Sequence, residues 1–107
     1  MSDTIITMRF RLQPGRSKED WLKANERASG WVRRQPGFQF RSLSETGDGE
    51  WIIIAYWASP EAIDAAEERF AREMGDELLP FVEMDSFRLD RSAACQMLKG
   101  LAEGQAA

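Results

Sequence analysis

A chain of 107 residues, 43% hydrophobic and 30% charged, holds material for one hydrophobic core and none for a second domain. Its net charge of -4 provides no basic footprint, which argues against a nucleic-acid partner. The sequence contains no histidine, so imidazole-based triads, histidine-ligated haem and nearly all catalytic zinc sites are excluded together.

Residues 4 to 12, TIITMRFRL, alternate with the period of a strand: Ile6, Met8, Phe10 and Leu12 on one side, Thr7, Arg9 and Arg11 on the other. Pro14 and Gly15 stop it. Ser17 with Asp20 three residues later makes a capping box with a shortened acid, and Trp21, Asn25, Ala28 and Val32 follow at helical spacing, predicting a helix over 17–34. A second Pro-Gly, at 36 and 37, releases FQFRSLSE, whose alternation sets Phe38 and Phe40 against Gln39 and Arg41. TGDG at 46–49 is a hairpin turn leading into EWIIIAYW, apolar at every position after Glu50.

Ser59 and Pro60 open a second helix with Ala62, Ile63, Ala66, Phe70 and Met74 on its buried side. A helical turn around Asp76 to Leu79 then leads into a last strand at about 82–90. The tail carries Ala94, Met97, Leu98 and Leu101 at helical spacing before fading toward Ala107. The reading is a domain over 1–91 and a tail over 92–107 that is partly helical or disordered.

No apolar run approaches the roughly 20 residues that span a bilayer, and the N-terminus lacks a signal-peptide pattern, so the expectation is a cytoplasmic protein without membrane contact. Cys95, the single cysteine, has no sequence neighbour suited to be its base or co-ligand. The acidic run AAEERFAREMGDE interleaves arginines as a solvent-facing helix does, with no compact set of metal ligands.

Two helices can cover one face of a four-stranded sheet. Trp51, Ile53, Ala55 and Trp57 alternate with Ile52, Ile54 and Tyr56, so whichever set meets the helices, the other presents large apolar side chains elsewhere. A second protomer packed sheet to sheet is expected there. Arg9, Arg11, Arg41 and Arg88 by parity fall on that second face. They either pair with Glu45, Glu83, Asp85 or Asp90 at the rim or form a basic, partly wet pocket for an anionic ligand.

The order β-α-β-β-α-(α)-β, the QPG turn at Gln13 to Gly15, QPGF at Gln35 to Phe38 and the hairpin into IIIAYWASPEAIDAA together resemble the dimeric α+β barrel superfamily, in its antibiotic biosynthesis monooxygenase-like branch. The resemblance covers residues 4–90. It implies an α+β, ferredoxin-like protomer with a four-stranded antiparallel sheet forming half of a dimeric barrel, and a ligand cavity between helices and sheet. Members include cofactor-independent oxygenases of electron-rich polycyclic phenols and haem-degrading enzymes. The latter use a histidine as iron ligand, which this chain lacks.

The expected activity is therefore a monooxygenase using O2 on an aromatic, phenolic or polyketide-like, small molecule, with neither cofactor nor metal. The alternative is a non-catalytic dimeric protein of the same fold that binds a small aromatic or anionic molecule. Asn25, the single asparagine, sits one turn from Trp21 and Ala28 and is a candidate to orient a substrate oxygen, or else a helix-margin amide with a structural partner. Tyr56 and Arg88 are candidates for a proton donor and a fixed positive charge, with the dimer interface as their other possible place. Trp21, Trp31, Trp57 and Phe70 are candidate pocket walls or plain core, and Met8, Met74 and Met84 adaptable packing beside the cavity.

Overall fold

The computed structural model describes residues 3–101. Its elements run β1 (Thr4–Leu12), α1 (Lys18–Arg33), β2 (Phe38–Glu45), β3 (Trp51–Trp57), α2 (Pro60–Glu73), α3 (Gly75–Leu78), a 3-10 turn (Leu79–Phe81) and β4 (Val82–Ala93). The strands form one antiparallel sheet in the order β2-β3-β1-β4, the ferredoxin-like arrangement, with α1 and α2 packed on one face.

Local chemistry sets each boundary. Ser17 Oγ accepts the Asp20 N–H at 3.0 Å and caps α1, and Ser59 Oγ accepts the Ala62 N–H at 3.2 Å and caps α2, where Pro60 takes the first turn. The QPGF turn is a clasp: the Gln35 side chain donates to the Trp31 carbonyl and accepts from Arg69 Nε, tying the end of α1 to α2. Gly37 then takes φ +85°, and a Cβ there would sit 2.7 Å from Ala62 Cβ, so only glycine lets β2 start against α2.

Register settles which half of β3 faces the helices. Trp51, Ile53, Ala55 and Trp57 are 4–7% exposed in the core, whereas Ile52, Ile54 and Tyr56 lie half-buried on the open face with Ile5 and Thr7 of β1.

One expectation from alternation fails, in β2. The β2–β3 register shifts between Phe38 and Phe40, so Phe38 pairs with Trp57 and Phe40 with Tyr56. The extra residue turns Phe40, 53% exposed, onto the open face against the Tyr56 ring, and brings Arg41 opposite Ala55 on the helix side.

β4 continues to Ala93, past its expected end, because it pairs with β1 as far as Thr4. The helical turn expected in the tail is not formed over 94–101, and the end of the tail lies outside the described residues. Among the described residues no helix is long and apolar enough to cross a membrane.

Candidate functional site

Between the helices and the sheet lies a cavity of about 310 Å³. Its floor is Ile6, Met8 and Phe10 of β1 with Ile53, Ala55 and Trp57 of β3, and its roof includes Trp21 and Trp31 of α1 with Ile63 and Phe70 of α2. The four candidate wall residues, Trp21, Trp31, Trp57 and Phe70, and Met8, expected beside them, therefore line one space. The aromatic rings brace one another edge to face: Trp31 on Phe70 at 5.4 Å between centroids, Phe10 on Trp21 at 5.5 Å and Trp21 on Trp51 at 6.0 Å. Trp31 is further fixed by donating its indole N–H to Glu73 Oε1 at 3.0 Å, a bond that joins α1 to α2.

Polar groups at this cavity are few. Trp21 is 1% exposed and its indole N–H is buried with no acceptor among the described residues. Asn25 is half-buried one turn along α1 with its Oδ1 likewise buried and unpartnered, yet it does not line the cavity. The spacing argument puts Asn25 at the right height on α1, but the helix turns Ala24 and Ala28 to the core instead.

Tyr56 and Arg88 are not brought to this cavity. The walls of β3 are its odd-numbered residues, so Tyr56 projects to the other face, and Arg88 stands opposite Arg9 on that same face. Met84 is 54% exposed and Met74, although buried, does not line the space, so Met8 is the one of the three methionines beside it.

The arginines of the open face divide. Arg9 pairs with Glu50 at 2.7 Å and Arg11 with Asp48 at 2.9 Å, both from the β2–β3 turn region, in place of the rim acids expected from the sequence. Arg9 holds the Glu50 carboxyl below the usual carboxylate range, and Thr46 and Arg11 do the same for Asp48. Glu67 of the acidic run pairs with Arg91 and Glu77 with Arg27, while Glu73 receives the Trp31 indole, so the run ties elements together.

Arg41 is the residue the sequence pattern misplaced. Carried inward by the bulge, it lines the apolar cavity and also a cleft of about 540 Å³ between α1 and β2. Its Nη1 donates to Ser29 Oγ at 2.9 Å, and burial lowers its pKa from the ordinary guanidinium value. An irregular 38–41 register against β3 was the signal, and it becomes visible only once the strands are paired.

Residues 4–71 match the antibiotic biosynthesis monooxygenase family. No match is found among curated protein sequences. Among solved structures the fold is similar to a mutant of SnoaB, a cofactor-independent oxygenase from Streptomyces nogalater, with 18% identity and a TM-score of 0.78, covering 94% of this chain and 100% of that one. A protein of unknown function from Nitrosomonas europaea is similar with 10% identity and a TM-score of 0.74, covering 95% and 98%. A dimeric ferredoxin-like protein from an uncultured marine organism is similar with 11% identity and a TM-score of 0.69, covering 94% and 95%. The match over residues 4–71, more than half of the chain, makes it a member of the antibiotic biosynthesis monooxygenase family, folded as a ferredoxin-like α+β protomer.

Proposed function

We propose that the chain is a cofactor-independent monooxygenase that oxidises an aromatic, phenolic or polyketide-like, small molecule with O2, and that it works as a homodimer closed through its open sheet faces. The observation that carries this reading is the 310 Å³ apolar cavity walled by three tryptophans and three phenylalanines, a volume and lining suited to a fused aromatic ring system. Such a substrate supplies the reducing electrons itself. A phenolate carbon attacked by O2 gives a hydroperoxide, and loss of water, taking one oxygen and the hydrogen of that carbon, leaves a quinone.

The protein then contributes position and dryness. Aromatic walls hold the ring plane, and the buried Trp21 indole N–H, which meets no acceptor among the described residues, is available to donate to a substrate oxygen. Asn25, whose Oδ1 is unpartnered among the described residues one turn along α1, stands behind the cavity wall and reaches a ligand only if the helix side of the cavity opens. Tyr56 and Arg88 are assigned to the dimer face.

The test is oxygen uptake with electron-rich fused phenols at neutral pH and no added cofactor. Uptake equal to phenol consumed, reduced at least tenfold by Trp57→Ala with the fold retained, is the expected result. A second reading, a dimeric binding protein, is favoured by the scarcity of acid-base groups: Arg41 and Glu67 are the ionisable residues among the walls, and Glu67 is paired with Arg91. Saturable phenol binding without oxygen uptake selects that reading.

A further inference from the structure

A half-buried guanidinium ordinarily has a carboxylate beside it, because the desolvated charge is otherwise costly. Arg41 has none within 4 Å among the described residues; its protein partner is the neutral Ser29 hydroxyl. Burial accordingly disfavours its charged form, with no nearby carboxylate acting against that effect. Arg9, Arg11, Arg27 and Arg91 meet carboxylates at 2.7–2.9 Å, whereas Arg41, the one arginine among the walls of the apolar cavity, meets none among the described residues.

Position adds a second, independent observation. Arg41 borders both the apolar cavity and the outer α1–β2 cleft, the one residue the two linings share, and its guanidinium reaches Ser29 on the cleft side. The cleft is lined on its α1 side by Glu26, Ser29 and Arg33. With Arg41, the charged residues of the cleft sum to a formal charge of +1. Its five N–H donors form a planar fork suited to two oxygens of one anionic group.

We propose that Arg41, positioned by Ser29, anchors an anionic oxygen group of a ligand whose aromatic body fills the cavity, with the α1–β2 cleft as its route of entry. The proposal rests on the reading of the cavity as a ligand site and narrows its substrate class to aromatic organic anions. The missing counter-charge of Arg41 is supplied by the ligand. Selection follows from the same physics: a neutral molecule of equal shape leaves the guanidinium desolvated and unpaired, whereas an anion adds charge-assisted hydrogen bonds.

Two probes isolate that contribution: 2-naphthoate and its neutral isostere 2-naphthamide, titrated calorimetrically at pH 7 into the wild-type protein, Arg41→Met, Arg41→Gln and Ser29→Ala. The wild type is expected to prefer the carboxylate by roughly tenfold or more. Both neutral Arg41 variants lose that preference while binding naphthamide within about twofold of wild type, and Ser29→Ala weakens the preference several-fold. Removing a desolvated charge leaves the melting temperature no lower than wild type, which keeps the variants usable.

A preference that survives in both Arg41 variants overturns the anchor, as does an equal loss of both probes, which marks Arg41 as a structural strut. Wild-type binding of both probes without discrimination overturns the anchor and leaves the cavity reading standing. Binding of neither probe by the wild type overturns both.

Discussion

Asn25 and Trp21 present a physical problem at the scale of single residues: a buried acceptor and a buried donor, four residues apart on α1, each without a partner among the described residues. An unpartnered buried polar atom costs about 1–3 kcal/mol, and a protein tolerates that cost where the atom has another use. Replacing Asn25 by leucine removes the orphaned Oδ1 while keeping the branched shape in a larger side chain, so Asn25→Leu is expected to raise stability by about 1 kcal/mol where the half-buried site takes up the added volume. For a chain of this size that corresponds to a melting temperature higher by about 4–8 °C. Differential scanning calorimetry reads it directly. A lower melting temperature shows that Asn25 is a satisfied structural residue and removes it from the candidate site. If melting rises while affinity for an aromatic ligand falls, Asn25 is a polar group kept for the ligand.

Turns and bulges decide the geometry at the scale of elements. Gly15 and Gly37 share nearly the same φ, +88° and +85°, and both follow proline, but a Cβ at Gly15 meets nothing within 4 Å while one at Gly37 strikes Ala62 at the start of α2. Gly15→Ala is therefore expected to cost about 1 kcal/mol from backbone strain alone, and Gly37→Ala about 2–4 kcal/mol because overpacking adds to it. Urea denaturation separates them, and equal losses refute the close approach.

The β2–β3 turn offers a pH test. Arg9 depresses the Glu50 pKa in the folded state below its ordinary 4.5, so the pair contributes stability that is present above that value and lost as pH falls through the folded value beneath it. Glu50→Gln is expected to flatten the loss of stability on acidification from about pH 5 to pH 3, followed by urea midpoints at each pH; an unchanged slope refutes the coupling. These elements also show what the sequence carries. Proline-glycine pairs, serine caps and period-two alternation in β1 and β3 are local signals, and they place the strands, the helices and the aromatic walls. The bulge at Phe38–Phe40 is a property of pairing with β3 and leaves no mark in the period of β2 alone. That is why Arg41 is misassigned to the outer face by alternation, and why the one arginine among the cavity walls is legible only in three dimensions.

The whole protomer leaves one large surface to explain. Ile5, Ile52, Ile54, Tyr56 and Phe40 share the sheet face that no helix covers, with the Phe40 and Tyr56 rings packed edge to face at 5.7 Å across it. Burying three or four such side chains against a second copy is worth about 1.5–3 kcal/mol each, enough to offset the entropy of association. Arg9 and Arg11 have already found Glu50 and Asp48 within the protomer, so they bring no unpaired charge to that contact; Arg88, standing opposite Arg9, belongs near its edge. Ile54 is the sharpest probe, because its strand neighbours are Thr7 and Ser42 and it lies in the middle of the face, away from the helix-side cavity. In the proposed dimer, Ile54→Lys places a charge in that apolar contact twice over, once from each copy, and is expected to shift a dimer to monomers in sedimentation analysis while sparing the protomer fold. Dissociation with unchanged naphthamide affinity means that each protomer completes its own cavity. A variant that stays dimeric refutes the sheet-to-sheet contact and directs attention to the helical side of the molecule.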